Sequence, residues 1–180
     1  AAGWTEQVTE TDTVGTTTLY CLDVLTGNPI WSYKYTSEKR SFPGPRSTPV
    51  IDGRRVFFLD SEGLLTCLDL KDGEENWQIN LALDSLTVID QWGYCPSPVI
   101  HNNLILLNLN KRGIAINKRN GTIEWNSEPG VANFASVKLI DFNNQKAAVF
   151  AADTTIYILD PKNGNLLSSY KKEKVYTMHN

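Results

Sequence analysis

Short apolar runs, each closed by a polar turn, alternate along most of the chain. "RVFFL", "LLTCLDL", "LILLNL", "IAIN", "AAVFAA" and "TIYILD" are rich in branched and aromatic residues, which is the composition of strands. The segments between them carry the turn residues. "DGRR", "HNN" and "FNNQ" separate a first apolar run from a second, "DSEG" and "NKRG" a second from a third, and "TGN", "DGE", "NGT" and "NGN" a third from a fourth. Asn and Gly accept the positive φ that tight hairpins require. The segment "EENWQINLALDSL" comes nearest to a helical stripe, but it falls where a fourth strand and a connecting loop are expected. The pattern predicts an all-β chain.

The turns recur in phase. "CLDVLTGNPIW" (Cys21–Trp31) and "CLDLKDGEENW" (Cys67–Trp77) share one skeleton, and "AINKRNGTIEW" (Ala115–Trp125) and "ILDPKNGNLLS" (Ile158–Ser168) repeat it in weaker form. Their glycines, Gly27, Gly73, Gly121 and Gly164, are 46, 48 and 43 residues apart. Upstream of the last three stand "STPVIDGRRVFFLD", "PSPVIHNNLILLN" and "ASVKLIDFNNQKAAVFAAD". Four antiparallel strands at such a period are the mark of a β-propeller blade; a β-sandwich gives no reason for Gly-x-x-x-Trp to close successive units. The expected organisation is a single propeller region over 1–180. It has a partial blade over 1–35 that supplies third and fourth strands, full blades over about 44–81, 92–126 and 133–170, and a lead-in to a further blade over 171–180.

The repeats lack the Gly-His and Trp-Asp pairing or the Gly-Gly doublet of the common seven-bladed families. They resemble the PQQ-like, or quinoprotein tryptophan-docking, repeat, Ala-x-Asp-x-x-Thr-Gly-x-x-x-Trp. The matching residues are Asp23, Thr26, Gly27 and Trp31; Asp69, Gly73 and Trp77; Ala115, Gly121 and Trp125, with Asn117 in place of Asp; and Asp160 and Gly164, with Ser168 in place of Trp. "GPRSTPVIDG" and "WGYCPSPVIHN" are similar to a bacterial, often exported subgroup. The resemblance implies a parent wheel of about eight blades, of which this chain is a part, and blades belted by Trp docking. An Asp or Asn before the turn can accept backbone N–H bonds and Gly takes the left-handed position. Trp can then lie on the next blade with its indole N–H on an acceptor. These residues are structural joints. Cys21 and Cys67 take equivalent third-strand positions in adjacent blades, too far apart for a disulfide, so both are expected as free, packed thiols.

Composition removes several function classes. The net charge of −3 and the absence of a basic stripe argue against nucleic acid, and no apolar run has the length of a membrane span. The N-terminal "AAGWTEQVTE" carries no signal-peptide pattern, as in a mature exported protein. Three cysteines without a CxxC pair and two distant histidines give little basis for a zinc site. "NGT" at Asn120–Thr122 matches a glycosylation acceptor but falls in a repeated turn.

Function is therefore sought in the loops that do not repeat. Those entering each first strand carry Arg46, Trp92, Tyr94, Asn133 and Phe134, a set suited to an anionic or ring-shaped ligand; the other reading is that Trp92 and Tyr94 plug the channel and Arg46 pairs with a nearby carboxylate. The expectation is a non-catalytic binding or scaffold propeller, exported to the periplasm, with no cofactor and no metal. Its partner would be a protein or a small molecule, and open blade edges would permit self-association. The alternative is a PQQ- and calcium-dependent alcohol dehydrogenase with ligands partly outside this chain. Two features weaken it: the vicinal Cys-Cys common in alcohol-oxidising members is absent, and the acidic residues cluster in turns.

Overall fold

The hairpin signals resolve into four antiparallel sheets. The computed structural model describes residues 2–8, 13–38, 45–83, 86–88, 92–152 and 154–171. The first sheet contains β1 (Ala2–Val8), β2 (Thr13–Leu22) and β3 (Pro29–Glu38). The second runs in order through β4 (Val50–Asp52), β5 (Arg55–Leu59), β6 (Leu64–Asp69) and β7 (Glu75–Asn80). The third comprises β8 (Val99–His101), β9 (Leu104–Leu107), β10 (Ile114–Asn117) and β11 (Ile123–Asn126). The fourth comprises β12 (Lys138–Phe142), β13 (Gln145–Ala151), β14 (Thr155–Leu159) and β15 (Leu166–Lys171). Each four-stranded sheet is a meander in chain order, and β4 abuts β8 of the next sheet. That is the blade arrangement of a β-propeller.

The first sheet holds one strand more than the two expected there. β1 pairs with the first part of β2, Ala2 opposite Leu19 and Val8 opposite Thr13. Tyr20, Cys21 and Leu22 consequently pair only with β3 among the described residues. The expected lead-in to a further blade lies, from residue 172 on, outside the described residues.

Three apolar cores fill the spaces between sheets. Leu19, Val56, Phe58 and Leu68 form the first, with Trp31 and Tyr35 packed against it. Phe57, Leu59, Leu65, Cys67, Ile105 and Ile116 belong to the second, and Leu106, Ala115, Ala148, Phe150 and Leu159 to the third. Successive residues of a strand point to opposite faces, so Val56 and Phe58 look toward the first sheet while Phe57 and Leu59 look toward the third. Both faces of the second sheet are covered, which is why "RVFFL" reads as an unbroken apolar run instead of an alternation.

The turns use the residues that their backbone demands. Gly27, Gly73, Gly121 and Gly164 have φ of 72°, 77°, 75° and 72°, and Asn102, Asn143 and Asn144 take φ of 54°, 49° and 62° in the first hairpins of their blades. A chain of hydrogen bonds also links equivalent positions near the first strands. The Thr48 N–H donates to Ser97 Oγ at 2.8 Å, and the Ser97 N–H donates to Ser136 Oγ at 2.9 Å. Each of these residues stands two positions before its first strand, so a small hydroxyl there lets one blade hold the backbone of its predecessor.

Candidate functional site

Each repeated Asx-x-x-x-Gly segment is both a turn and half of a joint. The Asp23, Asp69, Asn117 and Asp160 side chains accept N–H bonds two residues on, from Leu25, Lys71, Arg119 and Lys162, at 2.8–3.0 Å. The Gly N–H returns to the Asx carbonyl at 2.8–2.9 Å. In the last three copies the indole of the preceding blade then covers the glycine. A Cβ at Gly73 would stand 2.7 Å from the Trp31 ring, at Gly121 2.7 Å from Trp77, and at Gly164 2.9 Å from Trp125. Each indole N–H donates to the carbonyl one residue after the Asx: Trp31 to Leu70 at 2.9 Å, Trp77 to Lys118 at 3.2 Å and Trp125 to Pro161 at 2.9 Å. Arg55 Nη1 shares the Lys118 carbonyl at 2.8 Å. Asn120 uses its own Oδ1 to accept from the N–H and hydroxyl of Thr122.

Cys21 and Cys67 are not joined to each other. Both are free thiols. Cys67 is fully enclosed, and burial pushes its thiol up to about 11, so it stays protonated. The half-buried Cys95 thiol faces the Gly93 carbonyl at 3.5 Å.

The non-repeating loops are pinned by buried polar side chains. Asn108 is buried, and its amide donates to the carbonyls of Asn133, Ala135 and Ala151 at 3.0, 2.9 and 2.9 Å, while its Oδ1 accepts the Ala151 N–H at 3.2 Å. Asn110 does the same for the previous loop, donating to Leu86 O at 2.8 Å and accepting from the Val88 N–H at 3.1 Å. Under the loop at 92–95 lies the turn after β5. The Tyr94 N–H donates to Ser61 O at 3.0 Å, and a Cβ on Gly63 would meet the Tyr94 ring at 2.6 Å. Asp60 in that turn is buried and accepts from Glu62 and Leu64 N–H at 2.9 and 2.7 Å. Desolvation outweighs these bonds and raises its carboxyl to about 6.

Three of the five residues expected at the channel meet in one place. Tyr94, Asn133 and Phe134, with Val88, Pro96 and Val131, line a small open depression of about 20 Å³. Tyr94 forms its floor, buried in the core between second and third blades, with its hydroxyl hydrogen-bonded to Thr87. Phe134 and Val131, each 47% exposed, and Val88, at 40%, form its rim. Arg46 and Trp92 are half-buried and do not line it. Asn108 also lines the depression. Its one sign in the sequence is a polar residue within the otherwise apolar "LILLNL".

The described lining is mainly apolar. Calcium takes six to eight oxygen ligands, usually including carboxylates, and among the described residues no Asp or Glu lines the depression. The Asn108 amide is already spent on loop backbone. Among the described residues no three His, Cys, Asp or Glu side chains converge.

Propeller blades belted by indoles and topped by pinned loops define the class as a tryptophan-docked propeller. The chain belongs to the PQQ_2 family, whose model, described as outer membrane protein assembly factor BamB, matches residues 15–174. No curated protein matches the sequence. Among solved structures, BamB from Moraxella catarrhalis is similar at 15% identity and a TM-score of 0.59, covering 93% of this chain and 47% of its own. Quinohemoprotein alcohol dehydrogenase from Comamonas testosteroni is similar at 15% identity and a TM-score of 0.64, covering 93% of this chain and 34% of its own. A europium-containing methanol dehydrogenase matches at 13% identity and a TM-score of 0.59, covering 92% and 41%. The chain thus spans less than half the length of these structures. At such identities the likeness is one of fold, shared by proteins named as assembly factors and as enzymes.

Proposed function

We propose that this chain is a non-catalytic binding module that holds a partner protein through an apolar side chain seated in the depression rimmed by Val88, Val131 and Phe134. The observation that supports this reading is the combination of exposed apolar side chains with a fixed backbone. A protein normally leaves few large apolar groups together in water unless something covers them. Here the loops that carry them are tied by Asn108 and Asn110, so little ordering entropy is lost on binding. The resemblance and the description of the family model favour an exported, periplasmic protein.

The test places a charge on the rim. Val131→Glu is expected to retain the wild-type melting curve, because the side chain is half in solvent, and to lose the partner recovered by wild type from periplasmic extract. Binding is expected to fall at least about tenfold, as for loss of a central contact with a desolvated charge in its place. Equal recovery of that partner by wild type and variant would count against this surface.

A further inference from the structure

We propose that Asn163 is a site of spontaneous deamidation in the folded chain, and that the same Asn-Gly pair at Asn120 is held back by the contacts of its turn. Only these two places in the sequence put Asn directly before Gly. Asparagine is among the chemically labile residues, and a following Gly leaves its own nitrogen uncrowded by a side chain. Asn120 and Asn163 are both exposed. In the reaction the Gly nitrogen attacks the carbonyl carbon of the Asn side chain. Its proton leaves with the side-chain nitrogen as ammonia, and water opens the resulting cyclic imide to aspartate or isoaspartate.

The two turns start from the same geometry. The Gly121 and Gly164 N–H groups donate to the Asn117 and Asp160 carbonyls, each at 2.9 Å. Asn120 Oδ1 accepts from the Thr122 N–H at 3.1 Å, and Asn163 Oδ1 from the Asn165 N–H at 2.9 Å. The attacking nitrogen is engaged in both turns, so the reaction needs the turn to open. Local opening is governed by the contacts that tie a segment to its surroundings, and in these the two turns differ.

The 117–122 turn is tied down from several sides. Arg55 Nη1 of the preceding blade donates to the Lys118 and Arg119 carbonyls at 2.8 and 3.2 Å. The Lys118 N–H donates to Asn103 O at 2.9 Å, and its ammonium pairs with Asp52. The Thr122 hydroxyl adds a second bond to Asn120 Oδ1 at 2.9 Å. The 160–165 turn has other residues at each of these positions. Leu104, without a donor, opens β9 where Arg55 opens β5. Pro161 stands in the place of Lys118 and has no N–H, and Asn165 replaces Thr122. Gly121 is buried, whereas Gly164 is only half-buried. The second blade shows that the aspartate product keeps the turn, since Asp72 at the equivalent position accepts the Glu74 N–H at 3.2 Å. Isoaspartate puts the side-chain Cβ into the backbone ahead of Gly164, which disturbs the turn.

The test incubates the protein at mildly alkaline pH and follows the tryptic peptides 120–138 and 163–171 by mass spectrometry, with fragment ions locating the new acid. In the folded protein Asn163 is expected to convert at least about tenfold faster than Asn120, the difference that hydrogen bonds from a charged donor supply. In urea the two rates should agree within about twofold, because the unfolded chain loses the contacts that distinguish the turns. Arg55→Met, shown to be folded by circular dichroism, should raise the Asn120 rate at least about threefold and leave Asn163 unchanged. Should Arg55→Met fail to fold, the native and urea ratios of wild type decide alone. The proposal is overturned if Asn163 stays intact in the folded protein, if Asn120 converts as fast, or if the native preference is no larger than that in urea. A folded Arg55→Met that leaves the Asn120 rate at the wild-type value also overturns it.

Discussion

Trp77→Ala is expected to lower the unfolding free energy by about 3 kcal/mol, near the lower end of the range for emptying a large aromatic site, because the indole is only partly enclosed. Two effects add. The ring leaves the Gly121 surface and its tilted contact with Phe57, whose centroid is 6.0 Å away. The Lys118 carbonyl loses one donor, although Arg55 still reaches it at 2.8 Å. Trp77→Phe separates the two, since it keeps most of the covered area and removes the N–H; it should cost about 1 kcal/mol. Urea denaturation of both variants checks the ratio. Blades in a repeat array are coupled through nearest-neighbour interfaces, so Trp77→Ala should also broaden the transition as blades on either side of the joint melt apart. Equal losses for the two variants would show that the hydrogen bond, and not the packed ring, dominates.

Asn108→Leu is expected to cost about 2–4 kcal/mol although the side-chain volume hardly changes, because buried backbone groups lose their partner. The Asn108 amide is shared among three carbonyls of the β11–β12 loop and the end of β13. Leucine returns none of these bonds and leaves the Asn133 and Ala135 carbonyls facing an apolar group. The Ala151 carbonyl keeps the Asn133 N–H at 3.0 Å, so the loop is loosened at one end instead of released. The matching readout is amide hydrogen exchange: protection should fall over 131–135, and the loss should be local at temperatures well below the melting point. Unchanged exchange there, or a melting curve like wild type, would show that the loop is held by other contacts.

The joints were legible because they are local in sequence. Asx, Gly and Trp sit at fixed spacing, and each has a backbone or packing reason to be there, so four imperfect copies sufficed to find the period. Cys21 and Cys67 are likewise replaceable at their position, where the structure places Ala115 and Ile158 at the same register. The extra strand β1 was not legible, because "AGWTEQV" has polar residues at strand positions and no Gly or Asn turn after it. The long-range polar contacts were also hidden. Thr48, Ser97 and Ser136 are visible as a recurring hydroxyl before each first strand, but which backbone each one holds depends on the neighbouring blade. Of the loop residues, aromatic character identified Tyr94 and Phe134 without distinguishing them. Tyr94 lies under the depression, held by Gly63 and Thr87, while Phe134 stands on its rim.

The claim that the chain binds without catalysis is tested most directly by titrating the purified protein with PQQ in the presence of calcium. Tryptophan fluorescence would be followed, and alcohol-dependent dye reduction assayed at each step. The predicted result is no saturable quenching and no turnover above the protein-free control. Saturable quenching accompanied by alcohol-dependent dye reduction would contradict it.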